Sequence, residues 1–238
     1  MVQKILFTFL AGLFLIVTAQ AQWQTIHGEG KVVTQEIKLE NIHGVGLGIN
    51  GKLILIQGST QRITIEGQQN IIDNIKREVR GGNWSIEYIK NVKDAEPVTI
   101  TVTVPMLDEI ALSGSGTVTS TNKFSNLNDL DIAIAGSGHL DFNFDAKETE
   151  LSLSGSGKAV LMGSTNSLEI NISGSGDVTA KELTATGCEV SISGSGDAAV
   201  NVNGDLRAAI SGSGDVTYLG KANVDASISG SGSVKKMQ

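Results

Sequence analysis

The tripeptide Gly-Ser-Gly returns seven times, at 114–116, 136–138, 155–157, 174–176, 194–196, 212–214 and 230–232. Successive copies lie 22, 19, 19, 20, 18 and 18 residues apart. A period near 20 implies stacked units, each burying its apolar face on the next copy. Aligned on the first glycine, the position two residues before holds Leu112, Ile134, Leu153, Ile172, Ile192, Ile210 and Ile228. Four before stand Ile110, Ile132, Leu151, Ile170, Val190, Ala208 and Ala226; four after stand Val118, Leu140, Ala159, Val178, Ala198, Val216 and Val234. The positions between them are small or polar, as in Ala133, Ser152, Asn171, Ser191, Ala209 and Ser227. Alternation with period two marks strands with one buried face.

Each copy thus supplies one strand running into the tripeptide and one running out. Glycine at the corner tolerates positive φ and close backbone approach. The serine between is expected to bond the turn backbone. These features predict an all-β fold: a right-handed parallel β-helix of coils of ~18–22 residues, stacked ~4.8 Å apart. A flexible Gly/Ser linker would not repeat aliphatic residues at one offset. An up-and-down antiparallel barrel would repeat its strands at half the interval.

Residues 22–105 lack the tripeptide but carry short alternating runs: Val32–Leu39, Val45–Ile49, Leu53–Ile56, Arg62–Glu66, Trp84–Ile89 and Val98–Val104. Asn50-Gly51 has the form of a tight hairpin. Over Asn70–Val79, Ile71, Ile72, Ile75 and Val79 share one helical face, which predicts a short helix covering the rod's open end. A soft boundary is placed near Pro105, between a β-rich capping part (22–105) and the repeat (106–238), the whole of 22–238 forming one continuous domain. At the other end Lys236 occupies a column held elsewhere by Phe142, Leu161, Val200 and Tyr218, a guard against further stacking or a solvated tail.

Residues 1–21 have the pattern of a signal peptide: Lys4, an apolar run Ile5–Val17, and Ala19-Gln20-Ala21, with cleavage expected after Ala21. An uncleaved anchor is the alternative. Thirteen residues are short for a span, and no later apolar run is long enough for a membrane helix. No cysteine follows the run, which argues against lipoprotein processing. The expected location is the periplasm, the cell surface or the medium. A net charge of −7 argues against a nucleic-acid partner.

The lone cysteine, Cys188, falls in a column with Leu130, Leu168, Leu206 and Val224 and is expected to be a buried filler. His27, His43 and His139 are scattered, so no thiol–imidazole pair is expected. Asp177, Asp197 and Asp215 follow the tripeptide in consecutive coils and resemble half of a calcium-binding roll. The opposite turns, Gly163-Ser164, Gly187-Cys188, Gly204-Asp205 and Gly220-Lys221, carry one Asp among them, too few oxygens for calcium's six to eight ligands. A second acidic column, Glu109, Asp131, Glu150, Glu169, Glu189 and Asp225, is interrupted by Arg207 and is expected to face water. Polysaccharide cleavage would need two carboxylates in different environments, which repetition works against.

The chain resembles the putative auto-transporter adhesin, head GIN domain family. The resemblance covers about 37–233 and rests on Gly44–Gly58, Ile63–Val79, Pro97–Pro105, Leu107-Asp108-Glu109-Ile110 and above all the repeated Ile-Ser-Gly-Ser-Gly-Asp/Ser run. It implies a right-handed β-helix and brings no catalytic residues, cofactor or metal. The membrane barrel of an auto-transporter needs alternating lipid-facing strands of ~10 residues, and none follows the last tripeptide in this sequence. Adhesion is therefore what the resemblance implies. The residues themselves predict a non-enzymatic exported rod that binds a glycan, an envelope polymer or a protein.

Overall fold

The computed structural model describes residues 24–237. Residues 1–21, read above as a signal peptide, lie outside the described residues. The head contributes β1 (Thr25–His27), β2 (Val32–Ile37), β3 (Gly44–Leu47), β4 (Gly51–Gln57), β5 (Arg62–Gln68), α1 (Gln69–Ile72), β6 (Val79–Arg80), β7 (Asn83–Ile86), β8 (Asn91–Lys93) and β9 (Val98–Val104). The repeat contributes β10 (Glu109–Gly114), β11 (Thr117–Ser120), β12 (Phe124–Gly136), β13 (His139–Gly155), β14 (Lys158–Gly174) and β15 (Asp177–Gly194). It continues through β16 (Ala198–Val202), β17 (Asp205–Gly212), β18 (Asp215–Leu219), β19 (Asn223–Gly230) and β20 (Ser233–Lys236).

The fold is the expected parallel β-solenoid, about seven turns of about 19 residues. Within the repeat every pairing is parallel and joins one coil to the next. Ile134, Leu153, Ile172, Ile192, Ile210 and Ile228 form one in-register ladder. Ile172, Ile192 and Ile210 are each no more than 3% exposed, so the ladder is the core. Phe124 of one coil and Phe142 and Phe144 of the next cluster inside it, with successive ring centroids 5.1 and 5.7 Å apart.

The glycine corners explain the register. Gly114, Gly136, Gly155, Gly174, Gly194, Gly212 and Gly230 stack directly and all have positive φ, from 90° to 135°. A Cβ on Gly174 would lie 2.5 Å from the Gly155 carbonyl oxygen. That oxygen accepts the main-chain N–H of Ser175 at 2.8 Å, and the same bond recurs at each later corner. The corner bond is thus made by the serine N–H. The second glycine has a different reason: a Cβ on Gly157 would meet Ile134 Cγ2 and the Gly138 oxygen, both at 2.9 Å. Spacing varies because the opposite turn absorbs it. The register slips between Val160 and Met162 and again between Ala180 and Thr184, while the glycine side stays aligned.

Three features of the head stand out, the first and third of them against expectation. Asn50-Gly51 is not a hairpin. β3 and β4 do not pair with each other; they pair in parallel with β7 and β9 on one side and with β10 and β11 on the other. Ile49-Asn50-Gly51 therefore lies one coil beneath Gly114-Ser115-Gly116 and turns that coil's corner, without the positive φ of the glycine corners above it. Second, coil order departs from chain order. The coil β3–β4 sits between β7–β9 and β10–β11, and the chain crosses it after Val104; the Asp108 N–H bonds the His43 carbonyl at 2.8 Å on the way.

Third, the helix is one turn, not ten residues. Beyond Asp73 the backbone pairs outward instead: Lys76 N–H bonds Glu87 O, Ile75 bridges Tyr88, and the Asn74 side chain bonds both the N–H and the carbonyl of Lys90. The apolar face is buried as expected, with Ile71, Ile72 and Ile75 at 1% exposure or less. Two antiparallel strands, β5 on β9 and β2 on β5, continue the sheet beyond the coils at this end.

Gly174→Ala is expected to destabilise the protein by about 2–4 kcal/mol in urea denaturation, from a positive-φ methyl and a steric clash. Ser175→Ala keeps the bonding N–H and is expected to stay within about 0.5 kcal/mol of the parent. Equal losses from the two substitutions would refute this account of the corner.

Candidate functional site

The solenoid turns every sequence column into a row on its surface. On the outer face of the incoming strands, two rows of small residues run side by side. One is Ala133, Ser152, Asn171, Ser191, Ala209 and Ser227; the other is Ala135, Ser154, Ser173, Ser193, Ser211 and Ser229. Their registers are locked by the ladder that buries the aliphatic residue between them. Short side chains leave a shallow groove of about 690 Å³ over these six coils. Coil spacing makes it about 24 Å long, with the two rows about 7 Å apart.

The second acidic column borders this groove. Asp131, Glu150, Glu169 and Glu189 stack in register and are exposed, as expected, and Arg207 lies between Glu189 and Asp225. Asp129 and Glu148 form a shorter row beside them. Asp129, Asp131, Glu148, Glu150 and Glu169, together with Thr149 and Ser167, line a cleft of about 260 Å³. Glu169 is held by the Asn171 amide, whose Nδ2 donates to Oε1 at 2.9 Å. Thr149 is buried under this cleft, its Oγ1 3.1 Å from Thr165 Oγ1, and Thr165 Oγ1 donates to the Ser167 carbonyl. Thr149 stacks with Leu130 and Leu168 and Thr165 with Ala146 and Ala185, so each hydroxyl interrupts a different apolar column; a lone Thr at 149 was the only sequence signal.

In the row Asp177, Asp197 and Asp215, the last two have a bracing role. The Asp215 N–H donates to Asp197 Oδ1 at 2.8 Å, and the Ser233 hydroxyl donates to Asp215 Oδ1 at 2.6 Å. The Ser233 hydroxyl bond holds the Asp215 carboxyl below its ordinary range. The carboxylates of Asp197 and Asp215 thereby tie their coils to the next. At the opposite turn Asp145 does the same, accepting from the Ser164 hydroxyl and Lys123 Nζ, both at 2.6 Å. Burial pushes the Asp145 carboxyl up, but the bonds from Lys123 and Ser164 outweigh it and leave it below the ordinary range. Among the described residues no three His, Cys, Asp or Glu side chains are placed to hold a metal ion.

Cys188 is a core residue, 6% exposed, above Leu168 and below Leu206. Burial, aided by the Glu189 charge, pushes its thiol up to about 12. His27 and His43 are exposed and pair with Asp94 at 3.0 Å and Asp108 at 2.8 Å. No helix among the described residues is long and apolar enough to cross a membrane.

Residues 41–222 match the sequence profile described as putative auto-transporter adhesin, head GIN domain. The chain belongs to that family. Among solved structures, a putative adhesin from Bacteroides fragilis is 25% identical, with a TM-score of 0.80 over 89% of this chain and 100% of that one. A putative lipid binding protein from Parabacteroides distasonis is 24% identical, with a TM-score of 0.73 over 90% and 100%. A putative adhesin from the same species is 19% identical, with a TM-score of 0.68 over 90% and 100%. The last two share the fold. No curated protein matches the sequence. Membership of a head GIN family suggests a surface or exported protein.

Asp197→Ala is expected to lower stability by about 1 kcal/mol through the lost inter-coil bond. Millimolar calcium or chelator is expected to leave the melting temperature unmoved; a calcium-dependent rise would restore the roll reading. The Cys188 thiol has a raised pKa in the fold, so above about pH 9 the unfolded chain loses a proton that the folded chain keeps. Stability is then present below that pH and falls by about 1 kcal/mol per unit as pH rises toward 12. Relative to Cys188→Val, the parent is expected to show that extra slope in alkaline denaturation, and native Cys188 is expected to resist thiol reagents. A fast-labelling native thiol would contradict its burial.

Proposed function

We propose that this chain is an exported, non-enzymatic rod whose serine- and alanine-lined groove binds an extended, repeating polymer, an envelope or surface glycan. The observation that carries the reading is the groove itself, two rows of small side chains repeated over six coils. Small residues let a flat ligand approach the sheet closely. The serine hydroxyls, each both donor and acceptor, recur every ~4.8 Å, which suits a ligand with its own regular spacing of hydroxyls. Affinity on such a face comes from many equivalent contacts. Export rests on the leader-like residues 1–21 and on the family.

The acidic rows supply the competing reading, a polysaccharide-cleaving enzyme. Their carboxylates are repeated in near-equivalent settings, whereas acid–base cleavage needs two that differ. A lipid acyl chain is also a poorer occupant, because it would cover serine hydroxyls without bonding them.

Glycan arrays and pull-downs from cell envelopes test this. Binding is expected, and Ser173→Arg/Ser193→Arg, which fills the middle of the groove, is expected to weaken it roughly tenfold or more at unchanged melting temperature. Empty arrays and empty pull-downs would end the binding-module reading. Glycan cleavage lost in Glu150→Gln or Glu169→Gln would replace it with the enzyme.

A further inference from the structure

The two ends of the rod are built differently. At the head, Trp84 and Ile86 of the β7 coil are completely buried, and β6 pairs antiparallel along β7. The last described coil has no such cover. All eight residues of β19 are exposed, with Val224 at 40% and Ile228 at 43%. One coil earlier the same columns hold Leu206, Ala208 and Ile210 at 0%, 3% and 2%. Among the described residues no strand pairs with the outer edge of β19 or β20.

The free edge has a definite polarity. The Asn223 N–H bonds back to Gly204 O, at 2.8 Å. Main-chain groups alternate sides along a strand, so the N–H and C=O of Val224, Ala226 and Ile228 point away from the rod. The residues with core-facing side chains are therefore the ones whose backbone is open to a new partner.

We propose that this edge joins a second copy of the chain, tail to tail, through an antiparallel β19–β19 pair on a twofold axis at Ala226. Directly opposed residues must face the same side of the sheet, so the candidate registers differ in steps of two. Centring on Ala226 opposes it to itself and sets Val224 of each copy against Ile228 of the other, which continues the aliphatic ladders of both rods without a break. Centring on Asp225 would oppose two carboxylates, which is unfavourable. Centring on Ser227 would oppose Val224 to Gly230 and lose a ladder contact.

Head-to-tail stacking is blocked at the head. The head edge of this sheet, β7, is already occupied by β6. At the tail end, Lys236 of β20 takes the core column that Tyr218 fills one coil earlier, which keeps that strand out of the seam and confines pairing to β19. The contact is thus isologous, which closes as a dimer and does not propagate into a fibre.

The test uses the full chain. Sedimentation equilibrium is expected to show a dimer, and Ile228→Lys is expected to weaken association roughly tenfold or more without changing the fold by circular dichroism. Ala226→Cys gives the register: opposed across the axis, the introduced thiols are expected to form a disulfide-linked dimer on mild oxidation. Native Cys188, being buried, stays out of that reaction. Val224→Cys alone is expected to link poorly, since it faces Ile228. A monomer at tens of micromolar, or cross-linking through Val224→Cys in preference to Ala226→Cys, would overturn the proposal.

Discussion

The structure depends on one contact, the carbonyl of each leading glycine receiving the serine N–H of the next coil. The contact works only where no Cβ intervenes and φ is positive. It brings two coils together at one point and in one register. Everything else follows from that alignment. Aliphatic side chains meet aliphatic side chains because the corners meet. The opposite turn is free to gain or lose residues, and between Ala180 and Thr184 it does, without disturbing the ladder.

Fixed register also limits what such a protein can do. A site for covalent chemistry gathers unlike groups at one point and gives each a distinct environment. A solenoid with identical corners does the opposite, lining up like groups in like environments. The aspartates after the tripeptide show the outcome: Asp197 and Asp215 look like ligands in the sequence, and in the structure each accepts a bond from the next coil. The same logic makes a row of weak contacts strong in aggregate, which is the ground on which a repeating ligand is proposed for this surface.

How much was legible from the residues follows from the same constraint. Where repetition holds, sequence offset translates directly into position. The Ile columns, the outward acidic column and the burial of Cys188 could all be read before any coordinates. Where repetition lapses, local signals misled. Asn50-Gly51 carries hairpin chemistry, yet parallel partners on both sides of β3 and β4 left no place for a hairpin. Ile71, Ile72 and Ile75 have helical spacing and are buried, but Asn74 and Lys76 bond across to 87–90 and end the helix after one turn. Coil order could not be read at all, because nothing in β7 or β9 records that the earlier β3–β4 coil would be placed above them. The Thr149–Thr165 pair was hidden for a simpler reason: its partners lie in different columns.

The head and the tail show why repetition must fail somewhere. A parallel stack has an open edge at each end, and a coil identical to its neighbour only moves that edge along. Closing it requires strands of opposite direction and side chains too bulky for the ladder. The head supplies both, through β5 and β2 running antiparallel and through Trp84, whose indole Nε1–H bonds the Lys76 carbonyl at 2.9 Å. None of those features fits a Gly-Ser-Gly coil, so the tripeptide is missing from that part of the chain. The last described coil keeps the repeat intact in β19, with Val224, Ala226 and Ile228 still in ladder positions, and so it keeps the ladder's appetite for one more strand. Only β20 departs from the pattern, by a lysine in the core column. The two ends therefore differ in kind: one is finished by breaking the rule that builds the rod, and the other obeys that rule up to its edge.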